Sequence, residues 1–168
     1  GGDGRRGLVR SRGLGDVSRG TGWTKPLTIA ALGRLDPVEV DLDGSPGLLL
    51  ADDQEVVAAP EPWVALAPAL DPSAMGWRHR EWFLGPHGAA VYDPNGNAGP
   101  TVWVDGRVVG GWAIRDDGEV VTRVLEDVGA QVCAAIDDHA ARLQERLGGA
   151  VVKARARGWS AVERELRA

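Results

Sequence analysis

Apolar and polar positions recur at two different periods along this chain, and the change of period marks its elements. From Thr101 to Leu125 the pattern is that of strands. Thr101–Val104 is apolar, Asp105-Gly106 interrupts it, Arg107–Ile114 resumes it, Arg115-Asp116-Asp117-Gly118 interrupts again, and Glu119–Leu125 completes it. Asp-Gly between two such runs predicts a two-residue type I′ hairpin, since both central positions need φ > 0. Three strands joined this way form a meander. With Asp105-Gly106 as the turn, Val104 pairs with Arg107 and Trp103 with Val108. Gly110-Gly111 inside the second strand predicts a bulge or a close backbone approach. Residues 126–147 then take the helical period: Val128, Val132, Ala135, Ile136, His139, Leu143 and Leu147 share one stripe, and Gly148-Gly149 ends it. Val151–Lys153 reads as a short strand. Ser160–Leu166 reads as a last helix, with Ser160 as N-cap and Glu163 at N3, a capping box.

The first half is less regular. Residues 24–35 predict a short helix with Thr24 as N-cap and Pro26 in the first turn, where its missing N–H costs little. Leu27, Ala31 and Leu35 would form its apolar face, with Ile29 and Leu32 nearby, and Asp36-Pro37 stops it. Val38–Leu42 alternates apolar and acidic and predicts a half-buried strand. Residues 43–47 read as a turn and Leu48–Ala51 as the returning strand. A helix followed by a hairpin is the second half of a winged helix-turn-helix. Its recognition helix would offer Lys25, Thr28 and Arg34, but its wing carries Glu39, Asp41 and Asp43, which repel phosphate. This unit therefore reads as a packing element, not a groove reader. Residues 58–63 are a Pro-rich connector, with a helical turn expected from Glu61 to Leu66. Trp82-Phe83-Leu84 is a strand candidate and Pro86–Tyr92 a short helix. Residues 93–100, DPNGNAGP, are loop chemistry. The fold class is α+β: a partial winged helix-turn-helix followed by a β-meander with a long C-terminal helix. The expected segments are 1–20, disordered or aberrant; 21–57, the partial winged-helix unit; and 58–168, the C-terminal α+β unit.

Composition narrows the class. The 168 residues, 43% of them hydrophobic, suffice for one ordinary domain or two very small ones. No apolar run has the length of a membrane helix, so no membrane partner is expected. The single cysteine, Cys133, excludes an intramolecular disulfide and a multi-cysteine zinc site. With no apolar signal segment at residues 1–20, a cytoplasmic setting is expected. The net charge is −5, but residues 38–77 carry eight acidic and no basic groups while residues 1–37 carry seven basic and three acidic. Any nucleic-acid contact must therefore be local. The first twenty residues hold seven Gly and five Arg. They read as a basic arm or, in preference, as a truncated or out-of-frame start, because Gly/Arg-rich text is what a GC-rich gene yields when misread.

Several stretches resemble a bacterial family of winged-helix DNA-binding-domain proteins that includes interstrand-crosslink and alkylpurine DNA glycosylases. They are Thr21-Gly22-Trp23-Thr24, VEVDLDG at 38–44, LAPALDPSAMGW at 66–77 with Arg80 and Trp82 following, and YDPNGNAGPTVWVDGRVVGGW at 92–112. RARGWSAVEREL at 155–166 is a looser match. The resemblance covers Thr21 to Ala168 and corresponds to the later part of the family chains, which carry three tandem winged-helix units. Where the family has bulky aromatics before Thr-Gly-Trp-Thr, this chain has Arg19-Gly20. The resemblance implies duplex DNA, intact or damaged, as partner, and hydrolysis of an N-glycosidic bond as the family's reaction. The family's Gln-apolar-Gln motif has no counterpart here: the three glutamines are Gln54, Gln131 and Gln144. No catalytic residue carries over. The expected role is a DNA-binding C-terminal fragment; the alternative is a non-catalytic interaction module or a truncated gene product without independent activity.

The candidate DNA contacts are Arg78, Arg80, Asn95, Asn97 and Arg107, with Arg115 beside them. Arg107 sits at the hairpin tip, where it could reach a groove or a phosphate. Asn95 and Asn97 could donate to phosphate or bases, although Asn in a Pro/Gly loop usually serves the turn. Trp103 and Trp112 read as packing residues more than as base-stacking platforms. His79 and His87 read as solvated loop histidines, and Cys133 as a small buried residue. No pair of these has metal-ligand spacing, and neither metal nor cofactor is expected.

Overall fold

The computed structural model describes residues 22–42, 44–55, 57–76, 80–150, 152 and 158–168. The chain parts at the Pro-rich connector into two units, Gly1–Glu61 and Pro62–Ala168.

In the first unit a helix, α1 (Lys25–Leu32), precedes an antiparallel hairpin of β1 (Val38–Leu42) and β2 (Ser45–Leu49). Helix α1 is shorter than its pattern predicts, and it is turned differently. Thr28 is buried, whereas Leu27, Ile29 and Leu35 are 52%, 51% and 52% exposed. The inward face runs through Thr28, Ala31 and Leu32, one residue round from the expected line. Thr24 occupies the N-cap position without a side-chain cap bond. Instead the Thr28 hydroxyl donates to the Thr24 carbonyl at 3.1 Å, so Thr28 is not available to a groove. The hairpin turn is also tighter than residues 43–47 suggest. Leu42 pairs with Ser45, and Gly44, at φ +88°, donates its N–H to Asp41 Oδ1 at 2.6 Å. Pro46 therefore stands within a strand, which a two-stranded sheet tolerates because each strand has a free edge.

The second unit is built on a four-stranded antiparallel sheet in the order β3-β4-β5-β6, from β3 (Val64–Ala67), β4 (Thr101–Val104), β5 (Arg107–Ile114) and β6 (Val120–Val124). Three of these are the predicted meander. The fourth, β3, lies where the connector predicts a helical turn. Its Val-Ala-Leu-Ala pairs with β4 from Val64↔Val104 to Ala67↔Thr101. Pro62 and Pro68 flank it, and Pro is tolerated at a sheet edge because no ladder bond is lost there. Between β3 and β4 lie α2 (Pro72–Met75), α3 (Glu81–Leu84), a 3₁₀ turn (Gly85–His87) and α4 (Gly88–Val91). Trp82-Phe83-Leu84 is thus helical, not a strand. The Leu84 N–H donates to the Arg80 carbonyl at 2.9 Å, and the helical turn buries Phe83 and Leu84 together. A strand would have sent them to opposite faces.

Helices cover both faces of the sheet. The long helix α5 (Ala130–Leu147) crosses one face from β6 to β3. Its predicted stripe is the one that packs: Ile136 and Ala140, with Val128, Val132, Leu143 and Leu147, meet Val102, Val109, Trp112 and Ile114. Gly129 at φ +80° opens α5, and Gly148 in the left-handed region closes it. Cys133 lies one residue off that stripe, about 100° round the helix from Val132, and is exposed, contrary to its sequence reading. On the other face Phe83, Leu84, Val91 and Ala74 meet Trp103 and Val108. The last helix, α6 (Ala161–Arg167), packs against β5 and α4. Its capping box is present: the Glu163 N–H donates to Ser160 Oγ, and the Ser160 N–H donates to Glu163 Oε2. Most of the proposed strand at 151–153 lies outside the described residues.

Every residue of β5 after Arg107 is buried. The two tryptophans serve opposite faces. Trp103 Nε1–H donates to Thr101 Oγ1 and Trp112 Nε1–H to the Ala67 carbonyl, each at 2.8 Å, so both rings bury without an orphaned donor. A bulge shifts the β4–β5 register between Val102 and Trp103. A Cβ on Gly110 would stand 2.1 Å from the Arg123 carbonyl oxygen, and one on Gly111 2.7 Å from Val162 Cγ1. Gly110→Ala should cost about 3 kcal/mol, because its obstacle is backbone. Gly88→Ala, where nothing lies closer than 3.9 Å, should leave the urea midpoint unchanged or raise it. Equal midpoints for the two variants would contradict this packing.

Candidate nucleic-acid interface

The β4–β5 hairpin presents the most sharply built surface of the second unit. Asp105 and Gly106 have φ of 49° and 82°, the left-handed pair a type I′ turn requires. The turn is tied to the start of β3. The Asp105 N–H donates to the Trp63 carbonyl at 3.1 Å, and the Trp63 N–H donates to Asp105 Oδ1 at 2.8 Å. The tip is therefore held by a reciprocal pair of bonds, and Trp63, 38% exposed, lies beside it.

Arg107 follows the turn. Its Nη2 donates to Glu126 Oε1 at 2.9 Å and to Oε2 at 3.2 Å. Glu126 Oε2 also lies 2.9 Å from His87 Nε2. His87 is thus no solvated loop residue: it is 8% exposed, at the end of the 3₁₀ turn. Nothing in the sequence pattern pairs residues 87, 107 and 126. The sheet brings them together by placing the start of β5 beside the residues that follow β6.

Arg80, Asn95 and Asn97 gather round a second feature, the loop at Tyr92 and Asp93. The Arg80 guanidinium lies over the Tyr92 ring, 4.7 Å from its centroid, and donates to the Met75 carbonyl at 3.3 Å. The Tyr92 hydroxyl donates to the Ala74 carbonyl at 2.6 Å. Burial raises the Tyr92 phenol above its ordinary range, and Arg80 partly offsets that. Asp93 organises the loop. Its Oδ1 accepts the N–H groups of Asn95 and Asn97 at 2.9 and 2.8 Å. Its Oδ2 accepts the Asn97 side-chain amide at 3.0 Å and the Gly158 N–H at 2.9 Å. Asn97 therefore serves the turn, whereas the Asn95 side chain is exposed. Arg78 and His79 lie outside the described residues. The structure thus brings Arg80, Asn95 and Asn97 into one neighbourhood and places Arg107 with His87 and Glu126.

Between Arg80 and Arg123 each described arginine has a partner within the chain. Arg115 pairs with Glu119 and donates to the Leu166 carbonyl, and Arg123 pairs with Glu165 at 2.9 Å. A broad groove of about 880 Å³ runs between β6 and α5, but Asp117, Glu119, Asp137 and Glu145 line it beside Arg115, a balance that repels phosphate. No group of three or more potential metal ligands occurs among the described residues. No described helix is long and apolar enough to cross a membrane.

The bond from the Asn97 amide, with the three N–H groups, holds the Asp93 carboxyl below the ordinary aspartate range. A lowered carboxylate pKa stabilises the fold fully above the unfolded value, about pH 4 for Asp, and this is lost as pH falls through the folded value. The urea midpoint should therefore fall below about pH 4. Asp93→Asn should lower it at neutral pH and flatten its acid limb, and an unchanged acid limb would contradict the assignment.

A family model described as "DNA glycosylase AlkZ-like" matches residues 5–146, reaching further upstream than the resemblance that begins at Thr21. Among solved structures, the DNA glycosylase AlkZ of Streptomyces sahachiroi is similar, with a TM-score of 0.69 and 26% sequence identity. That likeness covers 90% of this chain and 43% of the AlkZ chain, so this chain spans less than half the length of its structural relative. No curated protein matches the chain. With 142 consecutive residues matched by the family model, the chain belongs to the AlkZ-like family of DNA glycosylases.

Proposed function

We propose that this chain is the duplex-DNA-engaging portion of a DNA-repair glycosylase-like protein, corresponding to the C-terminal part of an AlkZ-like enzyme. In this reading residues 21–57 are a partial winged helix and the sheet unit is the DNA-facing body. The observation that carries it is the hairpin tip. A two-residue turn pinned to Trp63 presents Arg107, with a side chain 51% exposed, from a strand buried along the rest of its length. A rigid ribbon with a guanidinium at its end suits a groove or a backbone phosphate. Arg80 and Asn95 are the secondary contacts, Asn97 holds the loop that presents Asn95, and Arg78 completes the set.

This reading assigns no catalysis to the glutamines. Gln54 Nε2 donates to the Ala51 carbonyl at 2.8 Å, and Gln144 Oε1 accepts the Val120 N–H at 2.9 Å. Gln131 stands exposed on α5. None belongs to a Gln-apolar-Gln element. The second reading, a non-catalytic interaction module or a gene product without independent activity, draws on the exposed Leu27, Ile29 and Leu35 and on the acidic stretch 38–77.

Fluorescence anisotropy of the whole chain on labelled duplex DNA, at low and moderate salt, tests the proposal. Salt-sensitive binding is expected. Arg107→Ala should weaken it and reduce the log–log salt slope by about 0.9, one phosphate contact. No base should be released from alkylated or crosslinked duplex. Absence of binding by folded protein would favour the second reading, and base release would overturn the non-catalytic assignment.

A further inference from the structure

The guanidinium assigned above to DNA is already bonded. Arg107 Nη2 donates to both oxygens of Glu126, at 2.9 and 3.2 Å, while Glu126 Oε2 lies 2.9 Å from His87 Nε2. One carboxylate thus holds two partners of different kinds. The His87 side chain is 10% exposed and the Arg107 side chain 51%, with Glu126 between them at 26%. His87 sits in the packed 3₁₀ turn and anchors the carboxylate from inside. Arg107 reaches it from solvent and is the partner that can leave.

The two anions in question offer a guanidinium the same chemistry. Carboxylate and phosphodiester each accept its planar fork of N–H donors. Exchanging one for the other needs only side-chain rotation of Arg107, since its backbone is fixed in the β4–β5 ladder through Val104↔Arg107. The exchange is near balance, because an exposed ion pair contributes little in water.

We propose that Glu126 is an internal competitor for the DNA backbone. It occupies Arg107 in the free chain, yields it to a phosphodiester on binding, and stays behind on His87. The proposal rests on the reading of Arg107 as a DNA contact. It adds a residue of opposite sign that sets how tightly, and at what salt, that contact forms. An acidic group at a DNA-facing tip then has a defined effect: it weakens binding to any anion that does not displace it.

The test uses the full chain and fluorescein-labelled duplex DNA of random sequence. Glu126→Gln should tighten binding about two- to fivefold at low salt, the range in which exposed pairs operate. In an Arg107→Ala background the same substitution should have no effect. A gain of equal size in that background would mean a long-range charge effect and would overturn the proposal. If Glu126→Gln leaves affinity unchanged while Arg107→Ala weakens it, the competitor role fails and the Arg107 contact stands. If neither substitution alters binding, both fail together. A measurement on the wild-type chain needs no Glu126 variant. The Arg107 guanidinium NMR resonance, assigned by its loss in Arg107→Lys, should shift when duplex is added. A resonance that stays in place while DNA is bound would also overturn the exchange.

Discussion

Burial of the central strand on both faces is the constraint from which the rest of the second unit follows. From Val108 to Ile114 no side chain of β5 reaches solvent freely. One face must therefore meet α5 and the other must meet α3, the 3₁₀ turn and α6. Filling both faces leaves no room for side chains where neighbours come closest. At Gly110 the neighbour is the Arg123 backbone, and at Gly111 it is Val162. The bulge between Val102 and Trp103 adjusts the ladder at the same place, so that Trp103 and Trp112 turn to opposite faces. Protein interiors are close-packed, and these two glycines let three layers meet.

The same constraint shapes the surface. Because β5 is buried beyond its first residue, its only exposed side chain, Arg107, is at the tip. Because the 3₁₀ turn packs on β5, His87 is drawn under the hairpin, and Glu126, two residues past β6, joins them. The charge cluster is thus a by-product of the sheet's packing. Family membership places this chain in the AlkZ-like family. The tip and its carboxylate are where the proposed DNA contact and its competitor meet. The broad acidic groove beside β6 faces another part of the unit and has the wrong sign for phosphate.

A second anchor ties distant chain segments together. Asp93 accepts four bonds, three from its own loop and one from Gly158. A Cβ on Gly99 would stand 2.8 Å from Ser160 Oγ and Glu163 Oε2. The loop at 93–99 therefore seats the start of α6, and that helix in turn lies on Gly111. Asn97 illustrates how such anchoring bears on function. A residue type suited to contacting DNA is here committed to a turn, while its neighbour Asn95 remains exposed.

Local chemistry was legible in the sequence wherever a short stretch decides its own geometry. Asp105-Gly106 sets the hairpin and its register because Asp-Gly suits the two left-handed positions of a type I′ turn. The Ser160–Glu163 capping box forms because both partners lie within one helical turn. The stripe on α5 packs as read because its period is that of the helix. What the sequence did not show was which neighbours each element would meet. Val-Ala-Leu-Ala became a strand because β4 had a free edge beside it. Trp82-Phe83-Leu84 became helical because one face had to take both Phe83 and Leu84. Helix α1 turned Thr28 inward although Leu27 is the more apolar residue, and Cys133 fell outside a stripe it adjoins. The pairing of His87, Arg107 and Glu126 spans 39 residues between His87 and Glu126. No local period encodes such a distance, so only the tertiary structure, by packing a 3₁₀ turn against a strand buried on both faces, decided it.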